Sequence, residues 1–373
     1  MNVLKKEILS RKINKSGIFV VRYLLCSFIT FFMAFLLLKF PALSVAGVKK
    51  GIEVCTESLI PSLYPFMIIT NAYILSPVSE MKLAPLEKLC RFLFGLPGSA
   101  GAVILFSFTA GLPVGAEMSA GLYRKGIISR QECSRLLCFC VNPGPAFVIS
   151  AVGNGMLGSS AAGALIYASL VISSLIIGFS TRFFASENET YISLPSQVRT
   201  GESGTGSIER AVVKSSKAIF NVCAWVVAFS CLSEIIGNSG LPEGAKAFLL
   251  CTSEITNGSL IASEKFTVPV VASVIGFSGF CGHLQIMGAI NTAEMEYKYF
   301  LVSRIINSAL AAVICSLLMR LFPVARETFS VGIKPDGRAT SGSVVLSVLM
   351  LIMAVLFVIG DDYKFNRKKS EKV

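Results

Sequence analysis

Asn142-Pro143-Gly144-Pro145 interrupts an apolar run, with LLCFCV before it and AFVISAVG after it. Each proline removes a main-chain donor, and no continuous helix passes through the pair. The Asn142 amide both donates and accepts, which suits the holding of a small polar solute rather than the breaking of a bond. A second patch, AGLPVGAE, joins Pro113 to Gly111 and Gly115, which admit neighbouring backbone closely. A half-helix starting there aims free N–H groups at a carboxylate or phosphate without needing Lys or Arg, and Glu117 favours that same positive helix end. In the second half, Glu254, Thr256 and Asn257 lie between two apolar pieces, while Ser278, Gly279, Gly282, His283 and Gln285 enter another. Gly279 stands four residues before His283 and leaves a gap for its ring, whereas Gln285, two residues on, faces elsewhere. Ser62 and Pro65 in IPSLYPF form an earlier break.

No Ser/His/Asp set, paired-carboxylate site or nucleotide fingerprint accompanies these patches. The GESGTGS stretch lacks the Lys-Ser/Thr of a phosphate loop and reads as linker. The eleven cysteines have no CxxC spacing and the chain has one histidine, so no metal spacing arises. The expectation is therefore no catalytic residue, no metal and no cofactor, with a coupling ion left open.

Polar, broken backbone at bilayer depth must be covered by protein or line a cavity, which dictates the elements that hold it. Hydrophobic residues make up 53% of the chain against 15% charged, and the mean hydropathy is +0.70; soluble domains carry about 25% charged residues. Runs such as Tyr23–Leu38, Ala162–Phe179, Phe300–Met319 and Ser343–Ile359 approach bilayer length. The fold expected is an all-α polytopic membrane protein of about eight transmembrane helices plus re-entrant or broken helices. It divides into an N-terminal signal-anchor (1–45), a first membrane half (46–184), a polar linker (185–210), a second membrane half (211–322) and a C-terminal span with a basic tail (323–373). Segments near 98–116 and 136–157 are expected as the third and fourth apolar stretches, and 244–262 is short and polar enough to re-enter.

The net charge of +12 gathers at the ends of apolar runs, with Lys5, Lys6, Arg11, Lys12 and Lys15 before the first and Lys364, Arg367, Lys368, Lys369 and Lys372 after the last. That distribution places both termini in the cytoplasm and argues for lipid, not nucleic acid, as the partner. Lys214 and Lys217 fit the interface. Phe108-Thr109-Ala110 followed by Arg135 echoes Phe277-Ser278-Gly279 followed by Arg304, which suggests a duplicated architecture.

The stretch from Phe108 through the Asn142 break, with EITNG and GFSGFCGHLQIMGAI after it, resembles the sporulation integral membrane protein YlbJ family, whose members carry the nucleoside-recognition (Gate) domain. The likeness covers roughly residues 50–320 and rests on a G-x-P-x-G turn, an I-S-x-x-E connector and a C-x-N-x-G-P-x-F element. The chain departs from the family pattern at Glu117, where a Lys is common, and at the Asn-Pro-Gly-Pro tip. The resemblance implies a membrane protein of endospore-forming bacteria, placed in the outer forespore membrane, that passes dipicolinic acid from mother cell toward forespore. It also implies two Gate-like halves whose broken helices resemble the re-entrant hairpins of nucleoside transporters.

The function expected is thus a transporter or facilitator of a small anionic metabolite. Its site would be drawn from the residues above, with Arg135, Arg304 and Lys217 near enough to add full charge. A nucleoside or other small-solute carrier, and a non-transporting scaffold for spore assembly, are the alternatives. Partners are the bilayer and the solute, and a homo-oligomer is left open.

Overall fold

The computed structural model describes residues 27–28, 31–76, 79, 84–184, 205–290 and 297–323, and every regular element among them is helical. The basic N-terminus, the linker up to residue 204 and the C-terminal apolar run with its tail lie outside them.

Helix α1 (Phe31–Lys39) meets α2 (Pro41–Val54) at a bend of 102°. Pro41 has no N–H to carry the ladder across that junction. A π-turn, Cys55–Leu59, leads into α3 (Ile60–Leu75), which keeps Pro65 inside it. After α4 (Ala84–Phe94), α5 (Ala100–Ala110) stops at Gly111, whose φ of 99° lies in the left-handed region open to glycine, and α6 (Leu112–Arg124) starts with Pro113 in its first turn. Helix α7 (Arg130–Phe139) opens with a reciprocal cap between Ser129 and Glu132 and ends just before the Asn-Pro-Gly-Pro break. A π-helix (Ala146–Met156) and α8 (Ser160–Thr181) follow. The second half holds α9 (Thr205–Gly237), α10 (Glu243–Ser253), α11 (Ile255–Lys265), α12 (Val268–Phe277), α13 (Gly279–Ala289) and α14 (Tyr297–Leu321).

Four helical stretches among the described residues are long and apolar enough to cross a membrane, Ser160–Thr181, Ile208–Gly237, Val268–Gly288 and Tyr297–Leu321, or five with the bent α1–α2 pair. Large apolar side chains on them, Phe220, Val313 and Leu317 among others, face outward, as a lipid-facing surface requires. One of the eight expected spans falls on 343–360, outside the described residues. The run expected at 98–116 does not form one continuous crossing. It turns back at Gly111, so a Cβ at Gly115 on α6 would meet the Ser107 Cβ on α5 at 2.8 Å.

Two packed groups flank the middle. Against α9, α2 lays Ser44, Gly47 and Gly51; a Cβ at Gly47 would stand 2.6 Å from the Cys231 Cα, and one at Gly51 2.8 Å from that of Val227. Such small-residue ridges replace the hydrophobic drive that lipid cannot supply. Helices α8, α12 and α14 form the other group.

Candidate functional site

Two hairpins and two interrupted helices meet in the middle of the chain's fold. The first hairpin is α5–α6 with its tip at Gly111. The second is α10–α11 with its tip at Glu254; its open end is clasped by Lys265 Nζ donating to Glu243 Oε2 at 2.8 Å, so the 244–262 stretch folds back on itself.

The first interrupted helix is α7, its break and the π-helix. Along it Phe139 lies against Gly178, Asn142 accepts from Ser174 and Gly153 backs onto Gly163, so the whole interrupted rod runs antiparallel beside α8. The second is α12–α13, broken where Ser278 (φ 70°) and Gly279 (φ 60°) turn left-handed. Ser278 is the only described non-glycine residue with positive φ, a local strain held by the packing around it.

Each hairpin tip closes on one break. A Cβ at Gly111 would meet the Gly144 N at 3.0 Å, and one at Gly115 would collide with the Cys140 carbonyl oxygen. In the other half, a Cβ at Gly279 would meet the Glu254 Cα at 3.0 Å. The two closed pairs also touch, since the Leu112 side chain lies 3.7 Å from a Cβ position on Gly282. The N-termini of α6, α11 and α13 are therefore gathered at one junction; the α11 end is capped by Glu254, while those of α6 and α13 carry no side-chain cap and keep the positive partial charge of a helix N-terminus.

Arg304 on α14 reaches this junction from the side and is fully buried. It donates to the carbonyls of Val141 (2.6 Å) and Cys138 (2.5 Å) and, at 3.5 Å, to Asn142 Oδ1. These carbonyls close α7 and carry the negative end of its dipole. The guanidinium Nε has no partner, and among the described residues no carboxylate stands at ion-pair distance from it.

From Asn142 the network continues through Ser174 and Asn307 to Ser173 and the Gly276 carbonyl (3.1 Å from Asn307 Nδ2), which ties both interrupted helices to α8 and α14. His283 is buried in an aromatic cage. Its Nε2 faces the Phe277 carbonyl at 2.9 Å, which can only accept, so in the neutral ring Nδ1 accepts from the Tyr297 hydroxyl at 3.0 Å. Phe300 packs against His283 at 5.0 Å between ring centres and lies under the Arg304 guanidinium at 5.5 Å. Histidine and arginine thus share one aromatic wall.

Of the residues singled out in the sequence, Gly111, Pro113, Gly115, Asn142, Pro143, Gly144, Glu254, Ser278, Gly279, Gly282 and His283 gather at or beside the junction, and Pro145 opens the π-helix. Glu254 is occupied as a helix cap, accepting from the N–H groups of Thr256 (2.8 Å) and Asn257 (2.9 Å). Four others stand apart from the tips. Glu117 faces away from the break and accepts from Asn71, which also bonds Ser215. Gln285 donates to the Cys281 sulfur, and Pro65 is exposed on α3. Ser62 belongs to α3, and its side chain is outside the described set.

Two of the expected charges are elsewhere. Arg135 donates to the carbonyls of Phe94 and Gly95 at the end of α4, and Lys217 is exposed on α9. The Phe108/Phe277 echo also dissolves, because Ala110 precedes a hairpin tip whereas Gly279 sits inside an interrupted rod. Sequence reasoning missed Asn307, Ser173, Ser174 and Asn71; an asparagine inside an apolar run, three positions after Arg304, was the available signal for the first. Among the described residues no group of three or more His, Cys, Asp or Glu side chains could hold a metal ion.

The chain is similar to the sporulation integral membrane protein YlbJ of Bacillus subtilis (strain 168), with 26% identity over 337 aligned residues that cover 80% of this chain and 82% of the relative. The integral-membrane character of that relative agrees with the apolar helices seen here. No family model matches the chain, and no solved structure matches it either.

Proposed function

We propose that this chain is a sporulation membrane transporter or facilitator of a small anionic metabolite, dipicolinic acid, passed from the mother cell across the outer forespore membrane. Arg304 carries this reading. A buried guanidinium compensated by carbonyls alone leaves positive charge at a junction of helix N-termini, and burying such a charge costs about 2.5–3.5 kcal/mol even on insertion scales. A flat aromatic dicarboxylate offers carboxylates to the guanidinium and the helix ends, and a ring to the Phe300 wall. The name of the Bacillus relative supports a role in sporulation.

The order of elements supports two Gate-like halves: hairpin, interrupted helix and long helix occur in that sequence twice, as α5–α6, α7–π-helix and α8, then α10–α11, α12–α13 and α14. Cargo enters when one hairpin tip parts from its break and leaves when the other does, so the two closed contacts act as gates on either side of one site. No bond-breaking step, metal or cofactor is assigned, and no coupling ion is specified.

A nucleoside carrier is the second reading, favoured by the neutral donors and acceptors of Asn142, Ser173, Ser174 and Asn307. Membrane vesicles offered labelled dipicolinate and labelled uridine side by side separate the two. In the source organism, Asn142→Ala, Gly115→Ala and Glu254→Ala are each expected to leave the protein in the membrane and to lower spore dipicolinate. Normal dipicolinate in all three strains removes the site assignment.

A further inference from the structure

Away from the tips, α7, α8 and α14 enclose a crevice of about 820 Å³ that opens to the outer surface. Arg130, Gln131, Ser134 and Thr181 line one end of it. They belong to the start of α7 and the end of α8, and α14 begins at the same level with Tyr299 and Ser303. Helix ends carrying Arg, Gln and hydroxyls mark the depth where a span meets headgroups. The rest of the crevice is walled by Ile176, Val302, Ile306 and Leu310.

Leu310 lies eleven positions beyond Tyr299, a descent of about 16 Å at 1.5 Å per residue. A hydrocarbon core is about 30 Å thick, so the crevice reaches one leaflet deep and ends near the midplane.

We propose that this crevice is a binding site for one anionic phospholipid. Its phosphate lies beside the exposed Arg130 guanidinium, and one acyl chain runs down the Ile176–Val302–Ile306–Leu310 wall. Three features select this occupant: a polar end at headgroup level, positive charge at that end, and an apolar length equal to one leaflet. The crevice also touches Cys138, whose carbonyl holds Arg304, so the lipid braces the helix that carries the Asn142 tip. Binding there does not depend on which solute the junction carries.

A photo-reactive benzoylphenylalanine in place of Val302, which is 54% exposed, reports the neighbour directly. Irradiation in native membranes is expected to give a chain heavier by one phospholipid. A cross-link within the chain to 343–360, a cross-linked dimer, or no adduct overturns the proposal. Native mass spectrometry supplies the second measurement, from nanodiscs of equal phosphatidylglycerol and phosphatidylcholine. The wild type is expected to retain phosphatidylglycerol preferentially, Arg130→Ala to lose that preference at least fivefold, and Ile306→Trp, which fills the crevice from a half-exposed position, to retain neither. A folded Ile306→Trp protein that retains phosphatidylglycerol as well as the wild type overturns the site.

Discussion

Replacing Arg304 by methionine keeps an unbranched apolar stem, shorter than arginine's, and removes the charge. Two short bonds vanish, to Val141 O at 2.6 Å and Cys138 O at 2.5 Å. Each charge-assisted bond is worth about 1.5–3 kcal/mol, so about 3–6 kcal/mol of favourable interaction goes. The burial cost of the guanidinium, about 2.5–3.5 kcal/mol, goes with it. The terms partly offset, and Arg304→Met is expected to fold with a loss of stability of about 3.5 kcal/mol at most.

Binding is a different matter, because nothing replaces the positive charge. Loss of one charge-assisted contact to a carboxylate, about 1.5–3 kcal/mol, weakens dipicolinate about 10- to 150-fold at 1.4 kcal/mol per factor of ten. Arg304→Lys keeps the charge but not the fork that reaches two carbonyls, and should fall between methionine and wild type. The assay is titration calorimetry on purified protein in nanodiscs, with a thermal melt of each variant to report folding. Folded wild-type, lysine and methionine proteins that bind dipicolinate with one affinity would refute the electrostatic reasoning.

Three further outcomes follow from the geometry. Gly115→Ala drives a Cβ into the Cys140 carbonyl oxygen, so the hairpin must part from its break; dipicolinate flux is expected to fall at least tenfold while membrane insertion, read by fractionation, is unchanged. Glu254→Ala removes the cap on α11 and should cost about 1–2 kcal/mol, read as a lower Tm in detergent, with Glu254→Gln losing about half as much. The Glu243 carboxyl is held below its usual range by the hydrogen bond from Lys265 and then by Lys246, and Lys265 is raised by Glu243 in turn. The clasp is therefore fully present above the ordinary Glu range near about 4.3 and is lost as pH falls through the lowered Glu243 value; at the other end it is lost as pH rises past the Lys range near about 10.4. Limited proteolysis of the α10–α11 hairpin should show increased cleavage at acid pH in the wild type, and no pH step in Glu243→Gln.

The breaks were legible in the sequence because they are local. Two prolines around Gly144 cannot carry a helix, and Gly111 before Pro113 marks a stop and a start. Whether a broken segment crosses or turns back was not legible, because hydropathy is the same either way. The contact of Gly115 with Ser107 that makes α5–α6 a hairpin is tertiary. Glu254 looked like a ligand because a buried carboxylate in an apolar run is costly, but its cost is met by two N–H groups of its own helix. The use of Arg304 was also hidden, since its partners are carbonyls more than 160 residues away. Gly47 and Gly51 stand at the spacing of a close helix contact, and that ridge against α9 could have been read from the chain.

The most direct measurement is uptake of labelled dipicolinate by liposomes holding the purified protein. Saturable uptake that unlabelled dipicolinate competes, that uridine does not, and that Arg304→Met abolishes is the expected result. Uptake no faster than in protein-free liposomes, under either direction of gradient, would contradict a conduit for this anion.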